Sequence, residues 1–232
     1  MMTIIFDNYN YCYPELKSLW GFSAYFEKYH LLFDTGSNGR ALLENMKALN
    51  IDVKEIKYLF ISHAHWDHIG GLDSVLELNP DITLFVPASL SKHLIENLHT
   101  LAKEVIVITD KPQRLFGNLY STGILGEDTP EQSLIIDGEK PIVITGCGHY
   151  GITNIVDTAS QIITKTIHLA AGGFHLMYSK EKEIADTITS LRKSGVEFAC
   201  PTHCSGDQAI VMFAQSFGDH YIQGGIGAKI EI

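Results

Sequence analysis

Only four cysteines stand in 232 residues, at positions 12, 147, 200 and 204. They are too few and too scattered to frame a chain of this length with disulfides, which predicts a reducing compartment. No apolar run approaches the length of a membrane span. The opening stretch, Met1-Met2-Thr3-Ile4-Ile5-Phe6-Asp7, lacks the basic segment and long apolar core of a signal peptide. Basic residues are in deficit: 17 Lys and Arg against 27 Asp and Glu give a net charge of −10. That balance argues against a broad grip on nucleic acid or an anionic membrane, while leaving room for a small anion pocket. Low-complexity tracts, long linkers and internal repeats are missing too. Together these absences predict a cytoplasmic protein with neither nucleic acid nor membrane as partner. With 45% hydrophobic and 19% charged residues, the composition is that of an ordinary globular chain, and a single domain over 1–232 is expected.

What is present is concentrated in Phe60-Ile61-Ser62-His63-Ala64-His65-Trp66-Asp67-His68-Ile69-Gly70-Gly71-Leu72. Three histidines and a carboxylate follow an apolar, strand-like run and precede two glycines. Imidazole and carboxylate suit zinc first, and iron or manganese as well. If His63 and His65 leave the strand in extended backbone, their side chains share a face and can hold one ion. Asp67 and His68 follow on a tighter turn, which aims them elsewhere, toward a second ion.

Short β-like runs alternate with helical patterns along the rest of the chain. Strands are expected at 3–6, 22–26, 31–33, 58–61, 83–86 and 105–108. Helices are expected at 38–49, after Gly71, and at 89–98. Residues 114–144 read as antiparallel strands with turns at Gly117-Asn118 and Asp137-Gly138. Helices at 152–163, 180–194 and 207–217 then alternate with strands at 167–171 and 198–199, and further strands close the chain. The mixture suggests two mixed sheets with helices outside, an α/β arrangement of the α+β type that carries its chemistry on loops at strand ends.

Three later segments also place a histidine just beyond an apolar run. In Ile144-Thr145-Gly146-Cys147-Gly148-His149 the glycines permit a sharp turn toward a metal. In Cys200-Pro201-Thr202-His203-Cys204-Ser205-Gly206 the proline stiffens the turn, and Ser205 or Asp207 is placed to cap the next helix. In Ala171-Gly172-Gly173-Phe174-His175-Leu176 the role of His175 depends on where the glycines aim it. Cys147, Cys200 and Cys204 lie beside these candidates and read first as buried small hydrophobes, with thiolate ligation as the alternative.

These residues resemble the metallo-β-lactamase superfamily. His63 to His68 are similar to its HxHxDH signature, and Leu32-Phe33-Asp34-Thr35-Gly36 to its early aspartate turn. His149 and His203 match its third and last histidines. The resemblance covers about residues 20–206 and implies a four-layer αββα sandwich with the site at one edge. It further implies that His63, His65 and His149 hold one ion and that Asp67, His68 and His203 hold a second. Asp34 is then a partner that orients the ligands. Asp7-Asn8, Gly21-Phe22-Ser23, Gly172 to Leu176 and Pro201-Thr202-His203-Cys204 resemble the hydrolase branch of dihydropterin–ribofuranosylaminobenzene phosphate synthase-like proteins.

One departure stands out. Most members carry a metal-bridging aspartate where this chain reads Gly172-Gly173-Phe174-His175. Either His175 replaces it as a ligand, or the second ion is held weakly, or His175 faces the substrate. The resemblance implies a metal-dependent hydrolase acting on a small-molecule substrate, anionic and phosphoester-like, with zinc foremost as cofactor, in one or two ions. Asp67 would be ligand and proton acceptor, and His175 a catalytic donor to an anionic substrate. A transferase or synthase acting on a pterin or ribosyl phosphate is the alternative, and a metal-binding protein with little catalysis a third reading.

Overall fold

The computed structural model describes residues 1–232. It divides into two compact units, one of residues Met1–Thr109 with Gly225–Ile232 and one of Asp110–Gly224. No helix is long and apolar enough to cross a membrane.

The first unit contains β1 (Met2–Phe6), β2 (Ser23–Phe26), β3 (Leu31–Phe33), α1 (Gly39–Ala48) and β4 (Tyr58–Phe60). After these come α2 (Trp66–Ile69), α3 (Leu72–Leu78), β5 (Thr83–Pro87), α4 (Lys92–Leu101) and β6 (Glu104–Ile108). The last strand of the chain, β13 (Lys229–Ile230), joins its edge. The sheet order is β13-β1-β2-β3-β4-β5-β6. Pairings from β13 to β3 are antiparallel, and those from β3 to β6 are parallel. The parallel strands are apolar almost throughout, as strands buried on both faces must be. Alternate residues Leu32, Leu59, Ile61, Leu84 and Val86 join Leu42 and Met46 of α1, Leu72 and Val75 of α3, and Leu98 of α4 in one core.

Capping sets the helix starts. Asn38 accepts from the Ala41 N–H at 2.9 Å, and Ser91 accepts from the Leu94 N–H at 3.2 Å. The Ser91 cap is why α4 begins at Lys92 and not at the expected residue 89. A further short helix, α2, arises inside the histidine segment, where the pattern predicts only a turn.

The second unit contains β7 (Gln113–Phe116), β8 (Leu119–Leu125), β9 (Glu131–Ile136), β10 (Ile142–Thr145) and α5 (Ile152–Ile163). It continues through β11 (Leu169–Gly173), α6 (Glu181–Lys193), β12 (Phe198–Thr202) and α7 (Asp207–Phe217). Its sheet runs β12-β11-β10-β9-β8-β7. The pairs β10–β11 and β11–β12 are parallel, and the rest are antiparallel. The apolar stripes of α5, α6 and α7 meet Ile135, Val143, Ala170 and Ala199 of the sheet in a second core. The antiparallel strands expected over 114–144 and the helices expected at 152–163 and 207–217 form as predicted.

Two strand boundaries move. β11 and β12 run on to Gly173 and Thr202 because their parallel ladder continues through Gly172↔Pro201 and Gly173↔Thr202. Pro201 is tolerated because β12 is an edge strand. The chain also ends in one two-residue strand and an isolated bridge between Ala199 and Tyr221, where several strands were expected.

Candidate metal centre

In the first unit, the parallel register Phe33↔Phe60 brings the ends of β3 and β4 side by side. Asp34 follows one strand and the histidine segment the other. The Asp34 N–H donates to Phe60 O at 2.8 Å, and the Thr35 N–H donates to His68 O at 2.7 Å. Asp34 is fully buried and holds a left-handed backbone, φ 50°, a strained state for a residue with a Cβ.

Its carboxylate organises the ligands. Oδ1 accepts the Ser62 N–H at 2.7 Å, and Oδ2 accepts the Ser62 hydroxyl at 2.6 Å. Oδ2 also lies 2.7 Å from Nδ1 of His68, so that nitrogen carries the proton. Ser62 has one hydroxyl hydrogen, and it goes to Asp34; at 2.9 Å its oxygen therefore accepts from Nδ1 of His63. Both imidazoles are thereby left with Nε2 as the lone-pair nitrogen, the tautomer that a metal ligand needs.

The rings are gathered closely. His63 and His65 have centroids 4.6 Å apart, in keeping with a shared face. The His68 ring centroid is 4.2 Å from that of His63, and the bond from its Nδ1 to Asp34 fixes the ring there. Nε2 of His68 is 3.7 Å from Asp67 Oδ2. His63, Asp67 and His68 are buried, while His65 is exposed. Two oriented imidazoles with a third beside them and a carboxylate are the donor types that a divalent cation takes.

In the second unit, β10, β11 and β12 lie next to one another in parallel, so their following loops cluster at one edge. That topology assembles His149, His175 and His203. The histidine rings of 149 and 175 are 4.3 Å apart. Cys147 Sγ is 3.5 Å from His203 Nε2, and the ligand atoms of Cys147, His203 and Cys204 all lie within 4.8 Å of one another. The Thr145 hydroxyl donates to Gly173 O at 2.7 Å, and the Met177 N–H donates to Cys204 O at 3.2 Å; these bonds stitch the loops together. Ser205 does not cap α7: its hydroxyl donates to Thr202 O at 2.7 Å and accepts from the Phe174 N–H at 3.0 Å. Nor does Asp207, since Gly206 is the cap residue and no side chain fills that role.

The glycines at 172 and 173 have a steric reason. A Cβ on Gly172, where φ is 111°, would stand 2.1 Å from Thr145 O. One on Gly173 would meet Gly146 O at 2.4 Å and Cys204 Sγ at 2.7 Å. No aspartate fits at either position. His175 is exposed, left-handed at φ 53°, and not among the donors that meet within 4.8 Å. Its imidazole is held above the usual histidine range, chiefly by a hydrogen bond with Cys204 against an opposing effect of burial. Burial pushes the Cys204 thiol up, but hydrogen bonds with Cys147 and His175 and the proximity of His203 outweigh it and hold the thiol well below its ordinary value.

Sequence reasoning missed Glu131. This residue is 2% exposed at the start of β9. Its Oε1 accepts the N–H groups of Gly146, Cys147 and Gly148 at 2.9, 2.9 and 3.1 Å. Oε2 accepts that of His149 at 3.0 Å. One carboxylate thus shapes the entire loop. Its only trace in the sequence is an acidic residue opening an otherwise uncharged strand.

Fold and donor sets define a metal-binding protein of the metallo-β-lactamase fold: mixed α/β, with two sheets and helices packed on each. A model of the metallo-β-lactamase superfamily matches residues 24–212, and the chain belongs to that superfamily. It is similar to the 7,8-dihydropterin-6-methyl-4-(β-D-ribofuranosyl)-aminobenzene-5'-phosphate synthase of Methanocaldococcus jannaschii, with 30% identity over 84% of this chain and 81% of that protein. A solved metal-dependent hydrolase of the β-lactamase superfamily superposes with a TM-score of 0.81 at 25% identity, covering 100% of this chain and 98% of that one. A diphosphatase from the PhnP family shares the fold at 14% identity, with a TM-score of 0.64 and coverage of 100% and 97%.

Proposed function

We propose that this chain is a metal-dependent hydrolase that directs water onto a small, anionic, phosphoester-like substrate. The observation that carries the reading is Asp34, buried and strained, setting the tautomers of His68 directly and His63 through Ser62. Energy is spent there to present ligand nitrogens, which a merely structural loop does not require. The solved relative, a metal-dependent hydrolase, supports the reading.

Following the family resemblance, His63, His65 and His149 serve one ion, and Asp67, His68 and His203 a second. Zinc suits these donors first, with iron or manganese as further candidates. A bound dication supplies Lewis acidity, making water more acidic and drawing charge from a carbonyl or phosphoryl oxygen. The side chains do the rest. Asp67 takes the proton of the attacking water on its carboxylate. His175, exposed beside Cys204, donates a hydrogen bond to the substrate's anionic group or to the leaving oxygen. Asp34 and Ser62 hold the imidazoles against rotation. The net charge of −10 speaks against a broad grip on nucleic acid or an anionic membrane, and a cytoplasmic setting belongs to the same reading.

A second reading has its own support. The curated relative is named a synthase whose product bears a pterin and a ribosyl phosphate, so transfer onto a pterin competes with transfer to water. Metal-loaded protein assayed on esters, lactones, thioesters and phosphoesters tests the first reading, with His63→Ala as comparison. Turnover of at least one class, lost in the variant, is expected; no turnover, or turnover equal in both proteins, sinks it. Product analysis with a pterin and a ribosyl phosphate separates transfer from hydrolysis.

A further inference from the structure

The loops after β10 and β12 carry two thiols for which the hydrolytic reading has no use. Cys147 is 4% exposed and Cys204 6%, and His203 is fully buried. Buried cysteines are commonly small hydrophobes, but these two share their surroundings with an imidazole nitrogen. Tetrahedral zinc, with bonds of about 2.3 Å to sulfur and about 2.0–2.1 Å to nitrogen, sets an S···N edge of about 3.5 Å. Cys147 Sγ and His203 Nε2 stand 3.5 Å apart, and Cys204 lies within the same 4.8 Å cluster. The cluster is also protected sterically, since Gly173 leaves the space beside Cys204 Sγ that any side chain would fill. Glu131 fixes the backbone on which Cys147 rides through its bond with the Cys147 N–H at 2.9 Å.

We propose that the second unit carries a thiolate metal site in which Cys147 Sγ, His203 Nε2 and Cys204 Sγ ligate a thiophilic dication of the zinc class. On binding, two S–H protons leave to solvent and two metal–sulfur bonds form. Two thiolates then supply the negative charge that an aspartate at 172–175 brings in most relatives. They also turn selectivity toward zinc and away from ions that prefer oxygen, such as manganese. His203 has one nitrogen to give, so this site takes it in place of the Asp67, His68 and His203 set of the hydrolytic reading; the ion of His63 and His65 in that reading is untouched.

The full chain loaded with cobalt(II) tests it. Thiolate-to-cobalt charge-transfer absorption is expected in the near ultraviolet. It should weaken in Cys147→Ser and in Cys204→Ser, and disappear in the double variant. Cys12→Ser and Cys200→Ser should leave it intact. A cobalt-loaded protein without that absorption overturns the proposal, as does a spectrum unmoved by removing both thiols. Should the serine variants fail to fold, X-ray absorption at the zinc edge of the unmutated protein decides: sulfur at about 2.3 Å supports the site, and a shell of nitrogen and oxygen alone refutes it. His63→Ala separates the two readings. It should abolish hydrolysis while keeping the charge-transfer absorption, so either reading can fail without the other.

Discussion

The two units place their candidate metal ligands in opposite ways. In the first, His63, His65, Asp67 and His68 come from one short segment after β4, with nitrogen and oxygen donors. In the second, Cys147, His149, His175, His203 and Cys204 come from three loops after three parallel strands, and sulfur joins the donors. The supporting carboxylates differ in kind as well. Asp34 acts on side chains, fixing which imidazole nitrogen holds a proton. Glu131 acts on backbone, gathering four successive N–H groups from Gly146 to His149. A contiguous cluster needs its rings oriented, whereas a dispersed one needs its loops held in shape.

Substitutions that strike one unit at a time probe this contrast. The largest effect is expected from His63→Ala, which removes a ligand outright. kcat/KM of the metal-loaded enzyme should fall by more than about 100-fold, beyond the roughly 10- to 100-fold cost of losing an orienting partner. Near-normal turnover in the variant would remove the first unit from the chemistry. Asp34→Asn comes next. It keeps the volume but loses the charge that both Ser62 and His68 address, and metal affinity measured by competition with a chelator should drop roughly 10- to 100-fold. An unchanged affinity would show that the tautomers are set by something else.

Glu131→Gln should act on stability more than on affinity at the first cluster. An amide turned toward backbone donors leaves at least one N–H unsatisfied, at a cost of about 1–3 kcal/mol. For a chain of this size that is a melting temperature lower by very roughly 2–12 °C, read by calorimetry. The smallest change is expected from Ser205→Ala, which removes one bond to Thr202 and one from Phe174. A loss of about 1 kcal/mol in denaturant unfolding is anticipated. If Ser205→Ala proved more damaging than Glu131→Gln, the view that backbone templating by Glu131 dominates the second unit would be wrong.

Much of the first unit is legible in the sequence. The apolar run ending at Phe60, the histidine spacing and the Asp34 turn are local features, and local features survive as sequence patterns. Asp34 was expected to orient ligands, and its bonds to Ser62 and His68 show the physical form of that role. What the pattern did not show is how His68 is held, because its bond to Asp34 joins residues 34 positions apart. In the second unit the histidines were legible, and the cysteines beside them read first as small hydrophobes; that Cys147 approaches His203 was not legible, since the two are 56 residues apart and meet only through strand order. Ser205 looked like a helix cap by position, yet the parallel β11 and β12 loops offered it better partners. Glu131 left almost no trace, because a lone acidic residue has the same letter whether it faces water or four amide hydrogens.

By itself, the sequence determined the family, the nature of the donors and the elements that carry them, because hydrophobic periodicity and ligand chemistry are written residue by residue. Tertiary structure alone decided which donors meet, which nitrogen of His63 and of His68 is left with its lone pair, and why no aspartate fits at 172 or 173. The physical reason is that those outcomes depend on strand neighbours and on distances of a few ångströms between residues that the chain separates by dozens of positions.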